Sequence, residues 1–215
     1  MGIFERDLHF PCTSVLSSFT DGIRGADRKT KDMVIAKLKA AEETAIRLGA
    51  GSFHKHTLYL LEDLIDDPAG VKSFTAWLIG LLRTDAAIPA SEILGEPNQR
   101  GSSEAIEPLL NAAIANKSGR LRANVALALI SIDAAKNQQE RWIPYVKQWL
   151  LEYRKSRLAD LDKDPYPTFR RTPVNCGGCS SPEFLREDPV EQDLRDALNA
   201  MGCKEKIQLP NYFEE

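Results

Sequence analysis

The chain has 215 residues, of which 43% are hydrophobic and 27% are charged, so disorder is excluded over most of its length. Its 28 Lys and Arg residues against 31 Asp and Glu residues give a net charge of -3, which excludes a global positive field that attracts nucleic acid or an anionic membrane. No apolar run approaches the roughly 18 residues of a membrane span, and the start (MGIFERDLHF) is too charged for a signal peptide. We therefore expect a cytoplasmic protein without a membrane association.

The first part of the chain predicts an irregular arm followed by three helices. Residues 1–30 show no sustained period, whereas apolar residues recur at steps of three and four over 31–48, and Gly49 is suited to end that helix. The same spacing predicts a second helix around 58–65 and a third around 71–82. Because their connection is short, we expect the second and third helices to be antiparallel neighbours.

The middle of the chain predicts a long loop and three more helices. Residues 84–103 (TDAAIPASEILGEPNQRGSS) contain two prolines and no long period, which indicates a loop with at most one helical turn, at 91–94. Helical spacing then returns around 106–114, 121–132 and 142–158.

The last part predicts a strap and one strongly signalled helix. Four prolines and two glycines between Asp162 and Pro182 exclude regular structure there. Asp188 is suited to cap a helix that begins at Pro189, and Glu191 completes a capping-box pattern. Gly202 is suited to end this helix. An isolated helix cannot keep an apolar stripe in water, so we expect it to dock through that stripe, with Tyr166, Phe169 and Phe184 as anchors along the strap. The stripe consists of Val190, Leu194, Ala197, Leu198 and Met201.

No segment alternates with period two, so the chain is predicted to be all-α. We expect stacked antiparallel helical hairpins, an α-solenoid-like arrangement, in a single domain over 1–215. Its parts are the irregular arm (1–30), the helical hairpins (31–161), and the strap with the docked C-terminal helix (162–215).

One predicted hairpin carries a family resemblance. Residues 106–133 have a proline in the first turn, a Leu109-Leu110 pair, a turn with Gly119, and then Leu121-Arg122-Ala123. This segment resembles a HEAT repeat, and residues 58–82 are similar in outline, so about half of the chain resembles the HEAT/armadillo-like helical repeat superfamily. The resemblance implies a protein-interaction module, an adaptor or an inhibitory partner. A minority of that superfamily binds DNA or acts on it, which makes nucleic-acid binding an alternative.

The sharpest local motif is Cys176-Gly-Gly-Cys179, whose spacing lets two sulfurs point to one centre. Cys203 is a candidate third ligand, and His9 and Cys12 in the arm are further candidates. A zinc or iron-sulfur centre, a reversible disulfide and two idle thiols are all compatible with this pattern.

The remaining polar motifs give weaker signals. His54 and His56 have no acidic partner one helical turn ahead, so we expect surface histidines. Motifs of phosphate-binding loops, nucleophile elbows and zinc proteases are missing, which favours a non-enzymatic role without settling it.

Two charged clusters are candidates for binding a partner. The acidic cluster at the end of the second predicted helix suits a solvated face, caps for the third helix, contact with a basic partner or, as a lesser alternative, a cation site. The basic cluster, interleaved with aromatic residues, suits a charged helix end followed by a tail that docks through its aromatics, a partner protein or, as a lesser alternative, nucleic acid. The candidates are Glu62, Asp63, Asp66 and Asp67 in the first cluster and Arg154, Lys155, Arg157, Arg170 and Arg171 in the second.

Overall fold

A computed structural model describes residues 21–49, 54–96, 103–132, 138–162, 188–204 and 207, with the backbone alone at 160–162. All regular structure within these ranges is helical, which confirms the all-α prediction. The chain divides into two compact units, Met1–Leu94 and Gly95–Glu215, a finer division than the single domain predicted. Over the part of the chain that is described, no helix combines the length and the apolar character needed to cross a membrane.

The first unit contains four α-helices whose two ends are described, and residues 21–24 are helical as well, so the described end of the predicted irregular arm (1–30) is largely helical. The four helices are α1 (Arg28–Leu48), α2 (His54–Leu64), α3 (Pro68–Leu81) and α4 (Ala87–Leu94). Helix α1 begins three residues earlier than predicted because the Asp27 side chain accepts a hydrogen bond from the backbone N–H of Thr30. It ends as predicted at Gly49, whose φ of 67° lies in the left-handed region.

Helix α4 corrects the prediction of a long loop over residues 84–103. Six of its eight residues are buried, so this short helix is covered on nearly all sides and shows no periodic stripe. Both α2 and α3 pack more closely against α4 than against each other. The predicted close pairing of the second and third helices is therefore replaced by packing around α4.

The second unit is built around one central helix. A short 3-10 helix (Ser103–Ala105) leads into α5 (Ile106–Ala115), and α6 (Gly119–Ser131), α7 (Gln139–Asp162) and α8 (Pro189–Ala200) follow. Helices α5, α7 and α8 all pack against α6, of which eight of thirteen residues are buried. Helix α6 thus forms the centre of this core.

Arg122 on α6 joins three helices of the second unit. Its Nε donates to the backbone carbonyl of Ala113 at 3.1 Å, its Nη1 donates to Glu152 at 2.6 Å, and its guanidinium lies 6.0 Å from the Trp149 ring centroid. Hydrogen bonds from Gln148, and then from Arg122, lower the pKa of Glu152. The arginine in the HEAT-like pattern therefore serves internal packing in this chain.

Helix α8 confirms the cap and the docking predicted for the last helix. The Asp188 side chain accepts from the backbone N–H of Val190, Pro189 occupies the first helical position, and Gly202 has a φ of 76°. The apolar stripe lies against α6 and α7, with four of the five predicted residues at most 4% exposed. The predicted anchors Tyr166, Phe169 and Phe184 lie outside the described residues. The four buried residues are Leu194, Ala197, Leu198 and Met201.

Candidate functional site

The predicted cysteine site falls mostly outside the described residues. His9, Cys12, Cys176 and Cys179 lie there, and Cys203 is a half-buried free thiol just after α8. Within the described ranges, no group of three or more His, Cys, Asp or Glu side chains could hold a metal ion. The zinc or iron-sulfur centre therefore stays a prediction.

Two of the three described members of the basic cluster, Arg154 and Arg157, are used to dock α8, whereas Lys155 is exposed. Arg154 is only 9% exposed, and its Nη1 lies 3.2 Å from Glu191 Oε2. Arg157 Nε lies 3.2 Å from Asp188 Oδ2, and the Tyr153 hydroxyl donates to Asp188 Oδ1 at 2.7 Å. The acidic partners Asp188 and Glu191 stand more than thirty residues further along the chain. Local sequence patterns do not show pairs at that separation. Arg170 and Arg171 lie outside the described residues.

The acidic cluster also finds its basic partners within its own unit. Asp63 pairs with Arg24 at 3.2 Å, and Asp66 pairs with Lys31 at 3.2 Å. Asp67 accepts from the backbone N–H of Gly70 at 2.9 Å and caps α3, as predicted. Glu62 is half-buried.

A cleft of about 190 Å³ opens beside this cluster, between the start of α1 and the end of α2. Its walls carry both signs of charge, and Lys31 and Asp66 neutralise each other across it. The cleft therefore does not select an ion of one sign.

Helix α1 is held by few buried side chains. Glu42 is the single buried residue among its 21, whereas α8 buries four of twelve. The spacing over 31–48 predicts an apolar stripe of Val34, Leu38, Ala41, Ala45 and Leu48. Two of these residues, Ala41 and Leu48, are exposed, and Leu48 reaches 75%. The stripe was therefore only partly a core face, and α1 presents most of its surface outward.

The side of α1 opposite Glu42 forms a continuous exposed strip, which we name the outward face. At about 100° per residue its members fall within one sector of the helix, and all are exposed. They are Lys29, Met33, Ala36, Lys37, Ala40, Thr44, Arg47 and Leu48.

The outward face is basic, with apolar side chains between the charges. Lys29, Lys37 and Arg47 carry positive charge, and none of them forms an ion pair with another described residue. Met33 is 51% exposed, which is high for a large apolar side chain. The face thus combines cations with accessible apolar surface.

Lys39, on the flank of α1, is used for internal packing instead. Its Nζ lies 5.4 Å from the ring centroid of Trp77 and 5.8 Å from that of Phe74, two rings of α3 that stack with centroids 5.9 Å apart. Burial lowers the pKa of Lys39, and the Glu43 carboxylate opposes that shift. This contact attaches α1 to α3.

The prediction of surface histidines is wrong for His54 and agrees with His56, which is exposed. His54 is 1% exposed, and its Nδ1 lies 2.5 Å from Glu42 Oε1, twelve residues earlier on α1. The acid lies on another helix, and not one turn ahead of the histidine on its own helix. The signal for its burial is that Glu42 stands four residues after Leu38 and three before Ala45, on the inner side of α1.

No family model, curated protein or solved structure matches the chain. The functional interpretation therefore depends on the geometry of the chain itself. One feature of the first unit is not explained by internal packing, and that is the outward face of α1.

Proposed function

We propose that this chain is a helical protein-interaction module that binds an acidic segment of another protein along the outward face of α1. The observation that carries the proposal is a 21-residue helix whose single buried side chain is a carboxylate and whose opposite side is basic and partly apolar. A role as adaptor or inhibitory partner, and the HEAT-like relationship, stay predictions.

The spacing on the outward face suits a partner that is itself a helix. Met33, Lys37, Ala40, Thr44 and Leu48 follow one another at steps of four and three, the spacing with which a helix meets a complementary helix or groove. Small residues between the ends let a second helix approach closely. Met33 and Leu48 supply the apolar contacts at either end.

The charge of the face selects an acidic partner. Lys29, Lys37 and Arg47 attract carboxylates, and a partner with basic residues at those places is repelled. The face has no aromatic side chain on which a nucleobase could stack, which favours protein over nucleic acid. An acidic amphipathic helix combines the charge and the apolar surface that this face needs.

Zero-length carbodiimide cross-linking tests the proposal, because it joins a lysine amine to a carboxylate that touches it. The full-length tagged chain is mixed with native extract and cross-linked, and the joined peptides are identified by mass spectrometry. We expect cross-links from Lys29 and Lys37 to Asp or Glu residues of one partner protein. The double variant Lys37→Glu with Arg47→Glu should lower retention of that protein by about tenfold or more, a loss of about 1.4 kcal/mol.

Lys72→Glu with Arg83→Glu is the matched control, since both residues are exposed in the same unit and the change in charge is the same. This control should retain the partner. Equal loss in both double variants would show nonspecific attraction and would reject the proposal. Binding of single-stranded RNA or phosphatidylserine vesicles through the same residues, without a cross-linked protein, would reject it as well.

A further inference from the structure

The cleft between the start of α1 and the end of α2 carries two opposite charges that have no partner in the described part of the chain. Arg28 and Asp32 both line it, and both are exposed. Neither forms an ion pair or a side-chain hydrogen bond with another described residue. They stand four residues apart on α1, so their Cβ atoms lie on one side of the helix, about 5–6 Å apart. The cleft thus offers one cation and one anion close together.

The other charged groups of the cleft are already engaged within the protein. Lys31 of α1 lies with its Nζ 3.2 Å from Asp66 Oδ2, which belongs to the segment that follows α2. This ion pair joins the two walls of the cleft. Asp67 Oδ1 accepts from the backbone N–H of Gly70 and caps α3. A ligand that enters the cleft therefore meets Arg28 and Asp32 as the charges that are available to it.

The same cleft has an apolar lining from both of its helices. Ile35 of α1 is half-buried and Leu64 of α2 is 2% exposed, and both line the cleft. Covering such surface with an aliphatic group removes it from water and is favourable. The volume of about 190 Å³ lies below the roughly 300 Å³ at which sites for drug-sized ligands begin. The cleft therefore suits a small molecule that combines both signs of charge with an aliphatic part.

We propose that this cleft binds a free amino acid with an aliphatic side chain. The carboxylate of the ligand pairs with the Arg28 guanidinium, whose parallel N–H donors match the two oxygens, and the ammonium group of the ligand donates to Asp32. Both groups of an amino acid are bonded to one carbon atom, so they suit two opposite charges that stand one helical turn apart. The aliphatic side chain covers Ile35 and Leu64.

The affinity of this site is low, because Arg28 and Asp32 are exposed and water competes for both charges. We expect a dissociation constant of about 1 mM for an amino acid such as L-leucine. The site is independent of the proposed function, because no residue that lines the cleft belongs to the outward face of α1.

Three probes with the same branched chain test the site. They are L-leucine, 3-methylbutylamine, which lacks the carboxylate, and 4-methylpentanoate, which lacks the amine. Each is titrated into the full-length chain to about 20 mM at constant ionic strength, and the amide chemical shifts are followed by NMR. We expect L-leucine to shift the amide signals of Ile35 and Leu64 until they saturate. Each analogue can satisfy only one of the two charges, so it should bind about tenfold more weakly.

Three variants assign the binding to the two charges. Arg28→Gln should weaken L-leucine about tenfold and leave the binding of 3-methylbutylamine unchanged, whereas Asp32→Asn should weaken L-leucine about tenfold and leave the binding of 4-methylpentanoate unchanged. Both residues are exposed and have no partner among the described residues, so the fold should persist in both variants. Lys29→Gln is the matched control, since it removes an exposed charge from the same turn of α1 outside the cleft. It should bind L-leucine like the unaltered chain.

Three results would overturn the proposal. The absence of a saturable shift of the Ile35 and Leu64 amides with L-leucine would show that the cleft binds no such ligand. Equal affinity for 3-methylbutylamine and L-leucine would show that the cleft attracts any organic cation through its carboxylates. Unchanged affinity for L-leucine in both Arg28→Gln and Asp32→Asn would show that the amino acid binds elsewhere on the chain.

Discussion

At the residue scale, Gly119 shows that three helices can pack closely at a position without a side chain. It is the first residue of α6, and a Cβ built there would overlap the ring of Tyr153 from α7 and lie 3.2 Å from Val190 Cγ1 of α8. Tyr153 in turn donates to Asp188, the cap of α8. The glycine read from the sequence as a turn residue therefore also provides the space in which α7 and α8 meet α6.

Gly119→Ala should destabilise the chain by about 1–3 kcal/mol, because the added methyl group overpacks a rigid ring contact. Urea unfolding followed by circular dichroism measures the change. Gly80→Ala is the matched control, since a Cβ at that helical position meets no atom within 4 Å. That variant should be stabilised by about 0.5–1 kcal/mol, the helix propensity gained over glycine. If Gly119→Ala left the free energy of unfolding unchanged, the Tyr153 ring would be able to shift without cost.

Residue environments are the part of the structure that the sequence predicts least well. The capping role of Asp67 could be predicted because it depends on residues within one helical turn. The burial of His54 and Arg154 could not, because their acidic partners stand 12 and 37 residues away. Only the folded arrangement of the helices brings those charges together.

At the element scale, α8 and α4 differ in how clearly the sequence signals them. Helix α8 has an acidic cap, a proline at its first position, a single apolar stripe and a terminal glycine, and each of these is a local signal. Helix α4 is buried on nearly all sides, so no contrast between faces marks it. The outward face of α1 has no local signal for a related reason, because the sequence does not show which side of a helix other elements cover.

The docking of α8 depends on a buried ion pair as well as on its apolar stripe. Glu191 and Arg154 both have side chains about one-tenth exposed, and Arg195 reaches the other oxygen of Glu191 at 2.9 Å. Removing one member of such a pair leaves the other charge buried and uncompensated. The cost exceeds that of breaking an exposed pair, because water solvates an exposed charge.

Glu191→Gln should therefore lower the free energy of unfolding by about 3 kcal/mol. Asp193 lies on the same helix as Glu191, and it forms a more exposed pair with Arg120 of α6. Asp193→Asn breaks that pair and should lower the free energy of unfolding by less than about 1 kcal/mol. Chemical denaturation of both variants at one ionic strength gives the comparison. Equal losses would contradict the view that burial makes the Glu191 pair the stronger attachment.

At the scale of the whole molecule, the chain forms two compact units, and each has its own buried residues. The core of the first unit surrounds α4, with Leu58, Phe74 and Leu78 fully buried on the helices that pack against it. The core of the second unit surrounds α6. The all-α class could be predicted because helical periodicity is local, whereas the division into two units depends on which helices meet, and periodicity does not show that.

This division predicts the effect of removing the last helix. Deletion of residues 188–215 takes away Leu194, Leu198 and Met201, each at most 4% exposed, and it also leaves Arg154 without Glu191. Each large apolar side chain contributes about 1.5–3 kcal/mol of burial before entropy, so the second unit should lose its cooperative unfolding and expose its core. Helices α2 to α4 bury their own core, so their amide protection should persist. Hydrogen exchange of the truncated chain, together with binding of a hydrophobic dye, measures both effects. Unchanged protection of α6 would show that α8 is an appendage, and loss of protection in α2 to α4 would show that the two units fold as one.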